Sequence, residues 1–113
     1  MKTHLMNLQS APFESIKSGK KDIEMRLYDD KRRLISANDQ IIFTNQSTNE
    51  RITCKVISVT VFSNFDELYG AFDKIRLGYK EDEVACAEDM KQYYPLTEMQ
   101  KNGVCAIEIK VID

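Results

Sequence analysis

The chain has few residues of the types that mark metal and redox sites. Among 113 residues there is no tryptophan, one histidine (His4) and three cysteines, Cys54, Cys86 and Cys105, which are far apart and form no CxxC pair. This spacing excludes the common zinc motifs, and a lone histidine is a poor basis for a Cys–His nucleophile, so no metal or cofactor is expected. No apolar run reaches the length of a signal-peptide core or a membrane span. We therefore expect a soluble, cytoplasmic protein without a membrane partner.

The chain also lacks a strong excess of charge of either sign. Its 16 basic and 18 acidic residues give a net charge of −2, which argues against a general nucleic-acid binder. The charges are unevenly spread, with 10 basic and 7 acidic residues in 1–55 but 6 and 11 in 56–113. A local basic patch is therefore predicted if the fold gathers the basic residues of the first half: Lys17, Lys20, Lys21, Lys31, Arg32 and Arg33. The length and the 42% hydrophobic content predict one globular domain, 1–113.

The most informative stretch is Gly19–Tyr28, which alternates between apolar and charged residues after its first lysines. Ile23, Met25 and Leu27 share one parity, which predicts a strand with these residues on a buried face and the charged residues on an exposed face. A glutamate and an arginine two apart, preceded by lysines, can form a compact ionic group on a stiff element. The alternative is an ordinary solvated surface. The candidate ligand-binding residues are Lys20, Lys21, Glu24 and Arg26, and the catalytic candidates are Lys21 and Glu24.

The remaining elements predict a mixed fold. Strands are expected at 3–8, 40–45, 50–62 and 104–112, with a bulge near Val56-Ile57 where the apolar parity switches. Helices are expected from an N-cap at Ser10 to Gly19, from Asn64 until Gly78, over about 82–93, and as one turn at 97–101. The order of these elements predicts an α+β domain with a mostly antiparallel, barrel-like sheet.

The motif residues as a group resemble a known family. The frame reads Pro12-Phe13-x-x-Ile16-x-x-Gly19-x-Lys21-x-x-Glu24-x-Arg26, and a turn at Asn38-Asp39 and a late strand after Gly103 follow in order. This pattern resembles the ASCH domain family, a branch of the PUA-like β-barrels, over essentially the whole chain. The resemblance implies a small β-barrel of mostly antiparallel strands, flanked by helices, with a cleft lined by the signature residues.

The resemblance also implies two kinds of activity. Members look like RNA- or nucleotide-interacting proteins, and some bacterial members are small amidohydrolases that deacetylate N4-acetylcytidine. In those hydrolases the signature lysine, matched here by Lys21, acts with a threonine and a downstream glutamate. This chain has Glu24 in place of the threonine, and Glu67, Asp73 and Glu81 are all candidates for the downstream acid.

Three hypotheses follow. The first is a binding module for RNA or a nucleoside or nucleotide ligand, the second is the amidohydrolase, and the third is a protein-interaction domain that uses the acidic second half. Four tyrosines can supply a stacking face for a base, although packing into the core is the commoner role for each: Tyr28, Tyr69, Tyr93 and Tyr94. Metal-assisted cleavage of RNA has no carboxylate cluster to support it.

Overall fold

Five strands provide the frame of the molecule, and the computed structural model describes all residues from 1 to 113. They are Thr3–Leu8 (β1), Ile23–Leu27 (β2), Gln40–Asn45 (β3), Arg51–Phe62 (β4) and Val104–Val111 (β5). They form one sheet in the order β1-β3-β4-β5-β2. Only the β1–β3 pair is parallel, whereas β3–β4, β4–β5 and β2–β5 are antiparallel. The predicted α+β class and mostly antiparallel sheet are therefore confirmed.

The long strand β4 allows the sheet to curl. Its register against β5 shifts between Val56 and Ser58, which confirms the bulge predicted from the parity switch. The first part of β4, from Arg51 to Lys55, pairs with β3. Pairing with β5 continues to Phe62. Because a bulge bends its strand and increases the local twist, the sheet curls into half a barrel, and β1 and β2 form its two free edges.

Three short helices flank the sheet: Ser10–Lys17 (α1), Phe65–Ala71 (α2) and Leu96–Asn102 (α3). Single 3₁₀ segments occupy Arg32–Leu34 and Ala87–Gln92. None of these helices has the length and apolar character needed to cross a membrane.

The helix termini match the sequence predictions only in part. The Asn64 side chain accepts a hydrogen bond from the Glu67 backbone N–H at 2.8 Å, as an N-cap does. Gly19 follows α1 with φ +84, which glycine adopts without steric cost. The predicted Ser10 cap is wrong, because Gln9 occupies the cap position and the Ser10 hydroxyl instead donates to Asn45 Oδ1 at 3.2 Å.

The predicted helix over 82–93 is also wrong. Only Ala87–Gln92 is helical there, and Val84, expected to face the core, is 86% exposed. The Lys74 ammonium donates to the carbonyls of Glu81 and Glu83, at 2.7 and 2.6 Å. In this loop the two carbonyls therefore have a side-chain donor in place of the i→i+4 partners that they would have in an α-helix.

Two apolar clusters hold the elements together, one inside the curl of the sheet and one between the sheet and α2 and α3. The first includes Phe13, Phe43 and Ile107, all fully buried. The second contains Ile23, Met25 and Leu27, which confirms that this parity of β2 is buried. The opposite parity was expected to be exposed, but Glu24 on that face is only 4% exposed.

Candidate functional site

A buried ionic group lies on β2 and in the turn before it. The Glu24 carboxylate is 3.2 Å from the Lys21 ammonium through Oε1 and 2.9 Å from Arg26 Nη2 through Oε2. Arg26 Nε also donates to Glu24 Oε2 at 3.0 Å. The side chains of Glu24, Lys21 and Arg26 are 5%, 10% and 16% exposed, so the three charges are almost removed from bulk water. We call these three residues the Lys–Glu–Arg group.

The two cations determine the protonation state of Glu24. Burial by itself would raise the pKa of this carboxyl, because a charge is poorly solvated inside a protein. The charges of Lys21 and Arg26 more than offset burial, and the pKa of Glu24 lies below its ordinary value. Burial by itself would lower the pKa of the Arg26 guanidinium, but the charge of Glu24 outweighs burial and raises this pKa. Glu24 is therefore a carboxylate at neutral pH, and the group carries one net positive charge.

Arg26 also connects the two free edges of the sheet. Its Nη2 donates to the backbone carbonyl of Asn7 in β1 at 3.1 Å, while Arg26 itself belongs to β2. These two strands share no backbone ladder, since they are the first and last strands in the sheet order. The Lys–Glu–Arg group therefore lies at the opening between the edges of the half-barrel.

A cleft of about 950 Å³ opens over this position. One wall comes from the start of α1 and the lysines before β2, and the facing wall comes from the loop between α2 and α3. The charged lining residues balance in number. The basic ones are Lys20, Lys21, Arg26 and Lys80, and the acidic ones are Glu24, Glu81, Glu83 and Asp89. The charges are separated, with most cations beside β2 and most carboxylates in the loop.

The loop wall contains a chain of hydrogen-bonded aromatic side chains. Tyr79 Oη donates to Asp89 Oδ2 at 2.7 Å and lies 2.8 Å from Tyr69 Oη, which must then be the donor between the two phenols. Burial raises the pKa of both tyrosines, so both remain neutral at physiological pH. Gly78 precedes Tyr79 with φ +107, and a Cβ there would lie 3.1 Å from Lys21 Cδ. The loop wall therefore packs directly against the stem of Lys21.

The usual metal-ligating side chains do not cluster in this structure. No group of three or more histidine, cysteine, aspartate or glutamate side chains is close enough to hold an ion. Cys54 and Cys105 are buried in the core, and burial raises the pKa of each thiol to about 12, so neither is an activated nucleophile.

Comparison with known proteins identifies the family. The model of the ASCH domain matches residues 6–113, which is nearly the whole chain. The chain belongs to the ASCH domain family. No curated protein matches the chain.

Solved structures with the same fold include two that are related in sequence. The hypothetical protein PH0355 is 37% identical, with 99% of this chain and all of that chain covered and a TM-score of 0.82. Protein PF0455 from Pyrococcus furiosus is 30% identical, with 98% of both chains covered and a TM-score of 0.75. An ASCH protein from Zymomonas mobilis is 16% identical and has a TM-score of 0.70, with 96% of this chain and 67% of that chain covered. This last likeness shows that the PUA-like fold is shared.

The ASCH fold brings together all four ligand-binding candidates named from the sequence. Lys20 lines the cleft beside the Lys–Glu–Arg group. Of the three downstream acids, only Glu81 lines the cleft. Glu67 lies in the first turn of α2, and Asp73 accepts a hydrogen bond from the Ile75 backbone N–H, and neither residue lines the cleft.

The basic patch expected from six residues does not form as one surface. Lys20 and Lys21 line the cleft, but Lys17 is paired with Glu50 and Arg32 with Asp29. Lys31 donates to the Leu5 carbonyl, and Arg33 lies over the ring of Tyr28.

Three of the four tyrosines considered for stacking do line the cleft, namely Tyr69, Tyr93 and Tyr94. Tyr28 lies outside it. The lining residues of the loop wall that sequence reasoning missed include Tyr79 and Asp89. The available signal was the position of Tyr79 directly after a glycine in a polar segment, which is typical of a loop, and loops carry a large share of binding residues.

Proposed function

We propose that the ASCH cleft binds a nucleotide, either free or as an unpaired residue of an RNA strand. The observation that carries this proposal is the Lys–Glu–Arg group, a buried ionic group that faces an open cleft instead of the core. Its net positive charge is held in a fixed geometry, because each cation is tied to the same carboxylate. Preorganised donors of this kind suit an anionic group that arrives from solvent.

The cations of the site have distinct roles in this proposal. Arg26 uses Nε and Nη2 on Glu24 and Asn7, so its Nη1 donors are the ones left for a phosphate or a carboxylate, and Lys21 provides a point charge beside them. Lys20 is exposed at the cleft and has no ion-pair partner, so it is free to follow the ligand. Glu24 orients both buried cations, because its Oε1 contacts Lys21 and accepts from the Met25 backbone N–H while its Oε2 accepts from Arg26.

The aromatic lining supports a flat ligand. Tyr93 is exposed, and its ring lies 6.5 Å from the ring of Tyr94, with both residues at the cleft. Stacking of a base on an aromatic side chain contributes ~1–3 kcal/mol per base. The balanced charges of the cleft lining favour a ligand with few phosphates over a long polyanion.

A second proposal is hydrolysis of an acylated nucleoside such as N4-acetylcytidine. It is favoured by the 3.2 Å contact between Lys21 and Glu24 inside the cleft. The lowered pKa of Glu24 weighs against it, because a carboxylate that is stabilised by two cations is a weak general base at neutral pH. Incubation with N4-acetylcytidine, followed by chromatography for cytidine, tests this activity. Turnover that Lys21→Ala abolishes would establish it.

Calorimetric titration with cytidine 5′-monophosphate, cytidine and a short oligoribonucleotide tests the binding proposal. Arg26→Lys keeps the charge and removes the guanidinium donors, and Lys20→Ala removes the exposed cation. Both variants should weaken binding of the monophosphate more than binding of the nucleoside. Lys20→Ala should also reduce the slope of log affinity against log salt concentration by about 0.7 if one phosphate contact is lost.

The matched control for this titration is Lys17→Ala, since Lys17 carries the same charge and lies outside the cleft lining. Equal affinities for the wild type, Arg26→Lys and Lys20→Ala would overturn the binding proposal.

A further inference from the structure

The second half of β4 has an edge with no partner strand. Pairing with β3 ends at Lys55, while pairing with β5 continues to Phe62. The last backbone bonds on the β3 side involve Val56, which exchanges bonds with Asn38 and Asp39. Beyond the bulge, no backbone group of residues 57–62 bonds to anything except β5. The N–H and C=O groups that point away from β5 are therefore free. We call residues 57–62 the β4 edge.

The composition of the β4 edge is that of a strand that pairs with another strand, and it lacks the residues that usually prevent such pairing. Its sequence, Ile-Ser-Val-Thr-Val-Phe, has no charge, no proline and no glycine, and three of its six residues are β-branched and apolar. Ile57 and Val61 are 42% and 49% exposed. Soluble proteins usually blunt a free edge with lysine, proline or a covering element, because an unprotected edge is a template for another strand.

The charges at the two ends of the β4 edge determine which partner fits. Arg51 and Lys55 precede it, and Asp66 and Glu67 follow it in the first turn of α2. Lys55, Asp66 and Glu67 are exposed. When two copies of this stretch run antiparallel about a two-fold axis, the basic end of each strand lies beside the acidic end of the other. A parallel arrangement would place like charges together, which disfavours it.

We propose that the β4 edge is a self-association surface, on which a second copy of this chain adds its own β4 edge antiparallel to form a symmetric dimer. Two-fold pairs of this type bring the same surface of each subunit together, which requires a self-complementary surface. An edge with an uncharged centre and opposite charges at its ends meets that requirement. Six residues per strand form a small interface compared with the roughly 1,200–2,000 Å² of stable complexes, so the dimer should dissociate on dilution.

Sedimentation velocity over a concentration series up to about 1 mM tests the proposal. The expected result is a mass that rises from 13.1 kDa towards twice that value. Ile57→Lys or Val61→Lys places a charge on the edge and should hold the chain at the monomer mass. The matched control is Leu5→Lys, a change of the same kind at a residue of β1 that is 56% exposed. Circular dichroism confirms that each variant is folded.

A charge exchange tests the antiparallel arrangement. Lys55→Glu places two carboxylates together at each end of the dimer, and Asp66→Lys places two ammonium groups there, so each variant alone should dissociate at lower concentration than the wild type. An equimolar mixture restores opposite charges at both ends and should recover the wild-type mass. A monomer mass at every concentration would overturn the proposal, and a mixture that fails to recover association would overturn the antiparallel pairing.

Discussion

Two buried carboxylates of this domain differ in what neutralises them. Glu24 and Asp39 are 4% and 5% exposed, and the pKa of each lies below its ordinary value. Glu24 is paired with two side-chain cations that line the cleft. Asp39 accepts hydrogen bonds from His4 Nε2 at 2.9 Å and from the backbone N–H groups of Lys2 and Ser36, each at 3.0 Å.

The difference separates a structural role from the ligand-binding role that we propose. Asp39 connects the start of β1 to the turn before β3, and Asn38 beside it adopts φ +74, a conformation that asparagine tolerates. All of its partners belong to the fold, and it does not line the cleft. Glu24 instead holds cations whose remaining donors face an opening. In this domain, the buried charge whose partners line a cleft is therefore the candidate for ligand binding.

Replacing Glu24 by glutamine should give the largest effect. The variant keeps the shape of the side chain but leaves Lys21 and Arg26 with no opposite charge. Removal of one partner from a buried ion pair costs about 3–5 kcal/mol, and the lower end applies here because both cations can turn towards the cleft. Urea unfolding measures this loss, and the nucleotide titration should show altered binding of the phosphate as well.

A change in Glu24→Gln of less than about 1 kcal/mol would mean that the ion group is solvated in the native protein and behaves as a surface pair. Arg26→Lys is the matched control for the urea experiment, because it retains the opposite charge beside Glu24. It should therefore lose less stability than Glu24→Gln.

Asp39→Asn should have the next largest effect, and on stability alone. The amide oxygen can still accept from one backbone N–H, but the amide nitrogen cannot accept from Ser36 or Lys2, so one part-buried donor loses its partner. We expect a urea midpoint below that of the wild type and above that of Glu24→Gln. Nucleotide affinity should equal that of the wild type, and a reduced affinity would show that the two carboxylates do not have separate roles.

The sequence predicts the strands of the sheet better than it predicts the residues that line the cleft. The alternation of β2 and the parity switch in β4 identify strands and a bulge because a period of two is a local property. Alternation of polar and apolar residues does not determine whether the polar face of a strand is exposed to solvent. Glu24 and Arg26 share one parity, as predicted, but that parity turns towards the opening of the curled sheet and is buried. The exposure of a strand face depends on the curl of the whole sheet.

The loop wall could not be predicted for a different reason. Acidic residues at 82 and 83 and apolar residues at 84, 85, 87 and 90 are typical of a helix start, yet Lys74 captures two carbonyls of that segment. Neither this contact nor the Tyr69–Tyr79–Asp89 chain has a local pattern, because each joins residues that are seven or more positions apart. Tertiary contacts of this kind override the intrinsic preference of a segment.

The pH dependence of stability should reveal the lowered pKa values of the two carboxylates, with a smaller effect than either substitution at neutral pH. Each has a folded pKa below its unfolded value, so each contributes stability that is present above its unfolded pKa and is lost as the pH falls through its folded pKa. The loss should begin below the ordinary values of 4.5 for Glu24 and 3.8 for Asp39. Urea midpoints between pH 7 and pH 3 should fall less steeply for Asp39→Asn than for the wild type. Identical slopes would contradict a lowered pKa of Asp39 in the folded state.

The pair between Lys17 and Glu50 completes the comparison with the smallest expected effect. It has the same chemistry as the contact between Lys21 and Glu24, but its side chains are 46% and 40% exposed. Water solvates both charges in the unpaired state, so little free energy depends on their contact. Lys17→Ala should therefore leave both the urea midpoint and the nucleotide affinity at wild-type values. A loss comparable to that of Glu24→Gln would mean that burial is not what distinguishes the two pairs, and that the position of Lys17 at the end of α1 is responsible.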